Sequence, residues 1–178
     1  MAKNEVLIPF IKSWEGGFSQ TPGDKGGATM QGVTLTTFRQ AFGMKKTVAD
    51  LKKMTAEQWA YIYKRYYWDR WQADNIKSQA IANLVVDWLW HSGTWGVKNT
   101  QKALGVKADG IVGPKTLAAI NNHANEKILF STLWASRRDY LIRCSSGNQE
   151  KFRKGWLNRL NGIRKDCLVC NGGKEIKF

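Results

Sequence analysis

The chain is expected to be mainly α-helical. Apolar residues recur at helical spacing through most of it, helix-starting residue patterns precede several of those stretches, and a single glycine-rich segment interrupts them. Val6, Leu7, Phe10, Ile11 and Trp14 give the first amphipathic helix, from about residue 4 to 15. Gly16-Gly17 is expected to end it with a left-handed glycine cap. From Gly16 to Thr34 the chain holds six glycines, one proline and few aliphatics, which reads as loop or a short β-hairpin.

A short helix is expected from Thr34 to Phe42, followed by a connector from Val48 to Met54. Thr55-Ala56-Glu57-Gln58 has the pattern of a capping box, in which the Thr hydroxyl and the Gln amide satisfy reciprocal backbone donors, and it opens a helix to about Trp68. Ile76 to His91, carrying Ile81, Leu84, Val85, Trp88 and Leu89, is the most apolar helix and the expected centre of the fold; Gly93 and Gly96 are expected to break it. Thr100–Leu104 reads as a short helix and Gly105–Pro114 as turns. Pro114 suits the first position of a helix running to Ile120. Glu126–Ile142 is a long helix, Gly147-Asn148 an interruption, Phe152–Ile163 a last helix, and the rest a polar tail.

With 178 residues, 43% of them hydrophobic and 12% aromatic, the chain has globular composition and can bury a sizeable core. Most of its nine tryptophans are expected to pack inside, and some could stack on sugar rings. The 28 basic and 14 acidic side chains give a net charge of +14. Such a field favours an anionic partner, for which nucleic acid, an anionic membrane face and acidic wall polymers all qualify. The basic residues are scattered, and no nucleic-acid recognition motif is present, so specific nucleic-acid binding ranks last. No apolar run is long enough to span a membrane. The three cysteines, Cys144, Cys167 and Cys170, argue against a disulfide framework. Cys167 and Cys170 have the spacing of half a zinc site, but no second pair exists and His91 and His123 lie far upstream, so neither metal nor cofactor is expected. The first ten residues lack a secretory pattern, so a chain made in the cytoplasm without a signal peptide is expected.

The chemistry concentrates near the first helix. Glu15 leaves that helix into Gly16-Gly17-Phe18, with Asp24 nine positions on, then Gly26-Gly27, Thr29 and Gly32-Val33-Thr34. Hydrolysis of a glycosidic bond needs a protonated carboxyl to donate to the leaving oxygen, and a carboxylate or a positioned water on the opposite face of the sugar. Trp14 and Phe18 flank Glu15, and apolar walls disfavour the ionised form. The partial negative charge of a helix C-terminus acts in the same direction. Asp24, on a polar loop, is expected to stay ionised, and two acids in contrasting surroundings are the pattern to seek. The bland alternative is a surface Glu and an ordinary Asp turn.

These segments resemble a family. Glu15-Gly16-Gly17-Phe18, Asp24-Lys25-Gly26-Gly27-Ala28-Thr29 and Gly32-Val33-Thr34 are similar to the signature of glycoside hydrolase family 108, N-acetylmuramidases of which some are called secretion activator proteins. Ala103 to Leu117 resembles the peptidoglycan-binding region that follows in these proteins, and Phe152 to Arg159 resembles their closing helix. The resemblance runs from about Val6 to Ile163. It implies a lysozyme-like, two-lobed helical fold that cleaves the glycan backbone of peptidoglycan, with Glu15 as the catalytic acid. By analogy with phage-type lysozymes, Asp24 and Thr29 would hold the attacking water, with Thr34 as the alternative hydroxyl. The chain departs from the family pattern at Met30-Gln31 and at His91.

Expected substrate contacts are Gly17, Phe18, Thr34, Tyr67, Trp68, Asp87 and His91. Asp87 sits within an apolar helix and must be paired or face a cleft, with pairing the default. His91 could line the cleft and titrate near neutral pH, although a hydrogen-bonded structural histidine is the more common outcome. Tyr66, Tyr67, Trp68 and Trp71 are more often core than sugar platform. Arg137-Arg138 and Arg153-Lys154 could meet anionic wall polymers or form a solvated face. Two regions are expected, residues 1–92 catalytic and 93–178 peptidoglycan-binding, packed into one globule. The functional expectation is a muramidase of a phage, prophage or bacterial wall-remodelling system, reaching the wall after release or export. The rival is a protein that binds peptidoglycan without cutting it.

Overall fold

The computed structural model describes residues 1–20 and 27–178; Asp24 therefore lies outside the described residues. Helix α1 (Asn4–Trp14) buries Leu7, Phe10 and Ile11. Three short antiparallel strands follow, β1 (Phe18–Ser19), β2 (Thr29–Met30) and β3 (Val33–Thr34), in the order β1-β2-β3. Met30 pairs with Val33, which leaves Gln31-Gly32 as a two-residue connection. Both residues have positive φ, 47° and 78°, the pattern of a type I′ hairpin whose twist matches that of the strands.

Helices α2 (Leu35–Phe42), α3 (Val48–Lys52) and α4 (Ala56–Tyr63) then pack beside this small sheet. Each begins at a threonine whose hydroxyl accepts from the N3 backbone N–H: Thr34, Thr47 and Thr55. Such caps contribute about 1 kcal/mol each. Helix α4 loosens into a π turn (Lys64–Trp68) and two 3-10 turns (Asp69–Trp71 and Ala73–Asn75).

Helix α5 (Gln79–Ser92) is the axis of the molecule; Ala80 to Leu89 are all buried. A helix apolar on all sides must be surrounded, and α1, α6 (Thr94–Ala103) and α8 (Glu126–Cys144) all contact it. Helices α7 (Pro114–Asn121) and α9 (Arg153–Asn161) complete the helical part, with α9 packed on α8. The mainly helical architecture expected from the sequence is what the structure has. No described helix is long and apolar enough to cross a membrane.

Several local expectations are corrected. The first helix does not end in a left-handed glycine. Glu15 itself turns to extended backbone, φ −91° and ψ 135°, and neither Gly16 nor Gly17 has positive φ. Residues 48–52 form a helix rather than a connector, because Thr47 and Asp50 make a capping box. Gly96 lies inside α6 and does not end α5. A Cβ there would stand 2.6 Å from the Trp88 carbonyl oxygen, so the glycine lets the two helices touch.

The polar tail is a hairpin of β4 (Cys167–Val169) and β5 (Glu175–Lys177), with Leu168 fully buried. It ties the end of α9 to α1. The Val169 N–H donates to the Gly162 carbonyl at 2.7 Å, and the Asn171 N–H donates to the Ser13 hydroxyl at 3.0 Å.

Candidate active site

The turn to extended backbone at Glu15 swings its side chain off the axis of α1 and toward α5 and α9. One carboxylate oxygen, Oε1, accepts from Trp90 Nε1 on α5 and from Arg159 Nη1 on α9, both at 2.7 Å. The carboxyl is 17% exposed, so part of it still reaches solvent. The β2–β3 turn covers its other oxygen. An ideal Cβ on Gly32 would fall 2.7 Å from Glu15 Oε2 and 2.8 Å from the Trp90 ring, so only glycine admits both neighbours. Two N–H donors occupy Oε1, which leaves Oε2 as the oxygen able to carry a proton.

Behind Glu15 the ionic chain continues inward. Arg159 Nη2 donates to Asp87 Oδ1 at 2.7 Å, and Arg137 Nη2 donates to Asp87 Oδ2 at the same distance. Asp87 and Arg137 are wholly buried. Burial by itself would raise the Asp87 carboxyl; Arg159 and Arg137 outweigh it and hold the group far below the usual carboxylate range. Burial likewise opposes the charge on Arg159, but Asp87 and then Glu15 overcome it and push that guanidinium up. Charges therefore alternate Glu15, Arg159, Asp87, Arg137, and each carboxylate has a hydrogen-bonding cation. Removing one member of such a buried set costs about 3–5 kcal/mol.

Aromatic rings pack around Trp90, the indole that holds Glu15. Tyr67 packs on Trp90 with ring centres 4.5 Å apart, and Trp59 lies 5.4 Å from Trp90 on another side. Trp59 Nε1 donates to the Gln31 carbonyl at 3.0 Å, which fixes the β2–β3 turn against Glu15. Burial pushes the Tyr67 phenol up; a hydrogen bond with Thr37 opposes this and the charge of Glu15 adds to it.

The other residues singled out from the sequence are dispersed. Thr29 stands on β2 opposite Thr34, its hydroxyl 3.4 Å from the Ser19 carbonyl. Thr34 uses its hydroxyl to cap α2, accepting from the Thr37 N–H at 3.1 Å. Phe18 pairs with Met30, with Lys52 Nζ 4.3 Å from its ring centre, and Gly17 has open space around it.

Trp68 cannot stack on a sugar: it is fully buried and donates to Asp74 at 2.7 Å. Asp87 does not line the cleft either, since its pairing with two arginines withdraws it from solvent. His91 lies edge-on to Trp156 at 5.6 Å, in a small cavity with Tyr140 and Cys144. Burial pushes its imidazole down to about 3, helped by Arg137 and Arg159, so it does not titrate near neutrality. Arg137, expected on the surface, is part of the core, and Arg138 pairs with Asp139.

Trp90 and Arg159 are the contacts that sequence reasoning missed. Trp90 lies one helical step of three residues beyond Asp87, which puts both on one side of α5; that spacing was the available signal. Arg159 gave none. Among the described residues no group of three or more His, Cys, Asp or Glu side chains could hold a metal ion.

The profile of the family described as Glycosyl hydrolase 108 matches residues 8–93, and that of the "Predicted Peptidoglycan domain" matches residues 95–161. The solved structure of SagA from Brucella abortus is 34% identical, covers 88% of each chain and superposes with a TM-score of 0.77. The chain belongs to the glycosyl hydrolase 108 family.

Among curated proteins none matches the chain. Membership makes this protein a glycoside hydrolase, and the second match directs it to peptidoglycan. Glu15, Asp87 and Trp90 fall in the first matched segment, Arg137 and Arg159 in the second. The ionic chain behind Glu15 therefore joins the two family regions of this glycosyl hydrolase 108 protein into one site.

Proposed function

We propose that this peptidoglycan hydrolase is a lysozyme-type N-acetylmuramidase, cutting the β-1,4 bond between N-acetylmuramic acid and N-acetylglucosamine. Glu15 is the general acid. The observation that carries this is the asymmetric setting of its carboxyl. Oε1 is held by Trp90 and Arg159, while Oε2 has no hydrogen-bond donor among the described residues and the carboxyl keeps 17% of its surface exposed. Oε2 delivers a proton to the bridging oxygen as the glycosidic bond breaks, and the carboxylate left behind already has two N–H donors.

Asp24 and Thr29 would position the water that attacks from the opposite face, which gives inversion. Asp24 lies outside the described residues; its role and that of Thr29 rest on the resemblance to phage-type lysozymes. Residues 1–92 would carry the chemistry and 93–178 would grip the glycan, with α9 returned to complete the acid site. The protein would be made in the cytoplasm and act on the wall after release or export, in lysis by a phage or prophage or in wall remodelling.

The test is digestion of purified sacculi with the parent and with Glu15→Gln, and identification of the fragments by mass spectrometry. Muramic acid at new reducing ends, from the parent alone, is the expected result. Glucosamine or an anhydro end would reassign the bond or the reaction. Fragment release by Glu15→Gln at the parental rate would remove Glu15 from its role.

A further inference from the structure

A cavity of about 410 Å³ opens beside these aromatic rings, lined by Thr37, Gln40, Arg65, Tyr67, Arg70 and Thr94 among others. That volume lies in the usual range for small-ligand sites, roughly 300–1,000 Å³. Two side chains, Trp90 and Tyr67, link it to Glu15. Tyr67 lines it and packs on Trp90, and Trp90 donates to Glu15.

Its charge is one-sided. Arg65 and Arg70 are both exposed, no Asp or Glu lines the cavity, and neither arginine has a carboxylate partner among the described residues. Arg65 stands in the π turn (Lys64–Trp68) that follows α4, and Arg70 in the 3-10 turn (Asp69–Trp71) after it. Arg70 is then fixed, its Nη2 donating to the Thr94 hydroxyl at 2.8 Å. Two arginines lining one cavity fit a planar anion, because the guanidinium fork matches a carboxylate in two parallel hydrogen bonds.

We propose that Arg65 and Arg70 clamp a carboxylate borne by the muramic residue beside the scissile bond, and so select peptidoglycan over neutral β-1,4 glycans. This rests on the muramidase reading above. The same chemistry has two sources, the lactyl carboxylate of a stem-free strand and a carboxylate of the attached peptide.

The test measures new reducing ends from three substrates: native sacculi, sacculi whose carboxylates have been amidated with carbodiimide and ammonia, and stem-free glycan strands. Parent is compared with Arg65→Gln/Arg70→Gln and with a charge-matched control, Lys45→Gln/Lys53→Gln, two exposed lysines outside the cavity. On native sacculi the arginine variant is expected to lose about tenfold or more in kcat/KM, mostly through KM. On amidated sacculi the gap between parent and variant should shrink to less than about twofold, since the partner charge is gone. A loss on native sacculi that disappears on stem-free strands identifies a carboxylate of the peptide; a loss on both shows that the clamp also takes the lactyl carboxylate freed when the stem is removed. The clamp is overturned if the arginine variant loses as much on amidated as on native sacculi, or if the lysine control loses as much as the arginine variant. A parent that opens no bond in any of the three overturns the muramidase reading, and the clamp falls with it.

Discussion

Arg159 reaches Glu15 across 144 positions of sequence and stands between its carboxyl and that of Asp87. One guanidinium thus presents Nη1 to the partly exposed Glu15 carboxyl and Nη2 with Nε to the buried Asp87 carboxylate. The planar fork can do this; a lysine ammonium on its flexible stem cannot hold both in fixed directions. Arg159→Lys is expected to keep the charge but lower kcat by up to roughly 100-fold, through misplacement of the carboxyl. Arg159→Gln leaves Asp87 with Arg137 alone and should cost about 3–5 kcal/mol of stability. Denaturant melts read beside kcat would separate the two effects. Equal kcat in parent and Lys variant would show that the bridge does not orient the acid.

Gly32 limits the same carboxyl from the opposite side. Its φ of 78° alone makes alanine unfavourable by about 1–2 kcal/mol. The added methyl would also meet Glu15 Oε2 and the Trp90 ring, so one of them must move. Gly32→Ala should therefore lose much more activity than stability, with kcat down by roughly 100-fold. The loss should reside in kcat rather than KM, because Gly32 touches the acid. A variant with normal kcat would mean that the turn yields without disturbing Glu15.

The pH dependence of stability follows from His91. In the folded state burial, then Arg137 and Arg159, hold it down at about 3, against an ordinary value of 6.5. Unfolded chains therefore take up a proton below 6.5 that the folded protein refuses. Stability falls as pH drops from 6.5 toward 3, by at most about 1.4 kcal/mol per pH unit from this one group. Above 6.5 both states are neutral at this site and its contribution is constant. Asp87 acts in the same sense at lower pH, its depressed carboxyl losing its stabilising effect only below the ordinary carboxylate range. In urea melts at pH 4.5 and pH 7, His91→Asn should lose less stability on acidification than the parent. Identical pH slopes would take His91 out of the account.

What could be read from the sequence was what depends on neighbours in sequence. The capping box at Thr55, the amphipathic first helix and the apolar α5 all follow from spacing within a few residues. The reading of Asp87 as paired came from its apolar setting, yet nothing local could name Arg137 and Arg159 as its partners. The choice of Trp68 as a sugar platform failed for a geometric reason. Trp68 sits in the π turn after α4, fully buried, as aromatics at helical spacing more often are. Helix α3 has only five residues, too few for a hydrophobic period, although Thr47 and Asp50 carried the same cap signature as Thr55 and Gln58. The β4–β5 hairpin was hidden because its strands have three residues each, too few to show an alternating period, and Ile176 lies between two charged residues.

That hairpin supports the site, although it lies outside both matched family regions. Leu168 is fully buried and bridges to Ile163, just beyond α9. Asn171 holds Ser13, two residues before Glu15, while Val169 holds Gly162, three residues after Arg159. The hairpin therefore sets the separation of the two helix ends whose next residues meet at 2.7 Å. Leu168→Ala should cost about 2–5 kcal/mol through lost burial and the cavity left behind. In a chain of this size that lowers Tm by roughly 5–15 °C. Below the new Tm the variant stays folded, and kcat should still fall, because loosening the clamp lets α9 drift from α1 and separates Arg159 from Glu15. Measured well below the melting transition, an unchanged kcat would restrict the hairpin to a stabilising role and leave the alignment of Arg159 to Asp87 alone.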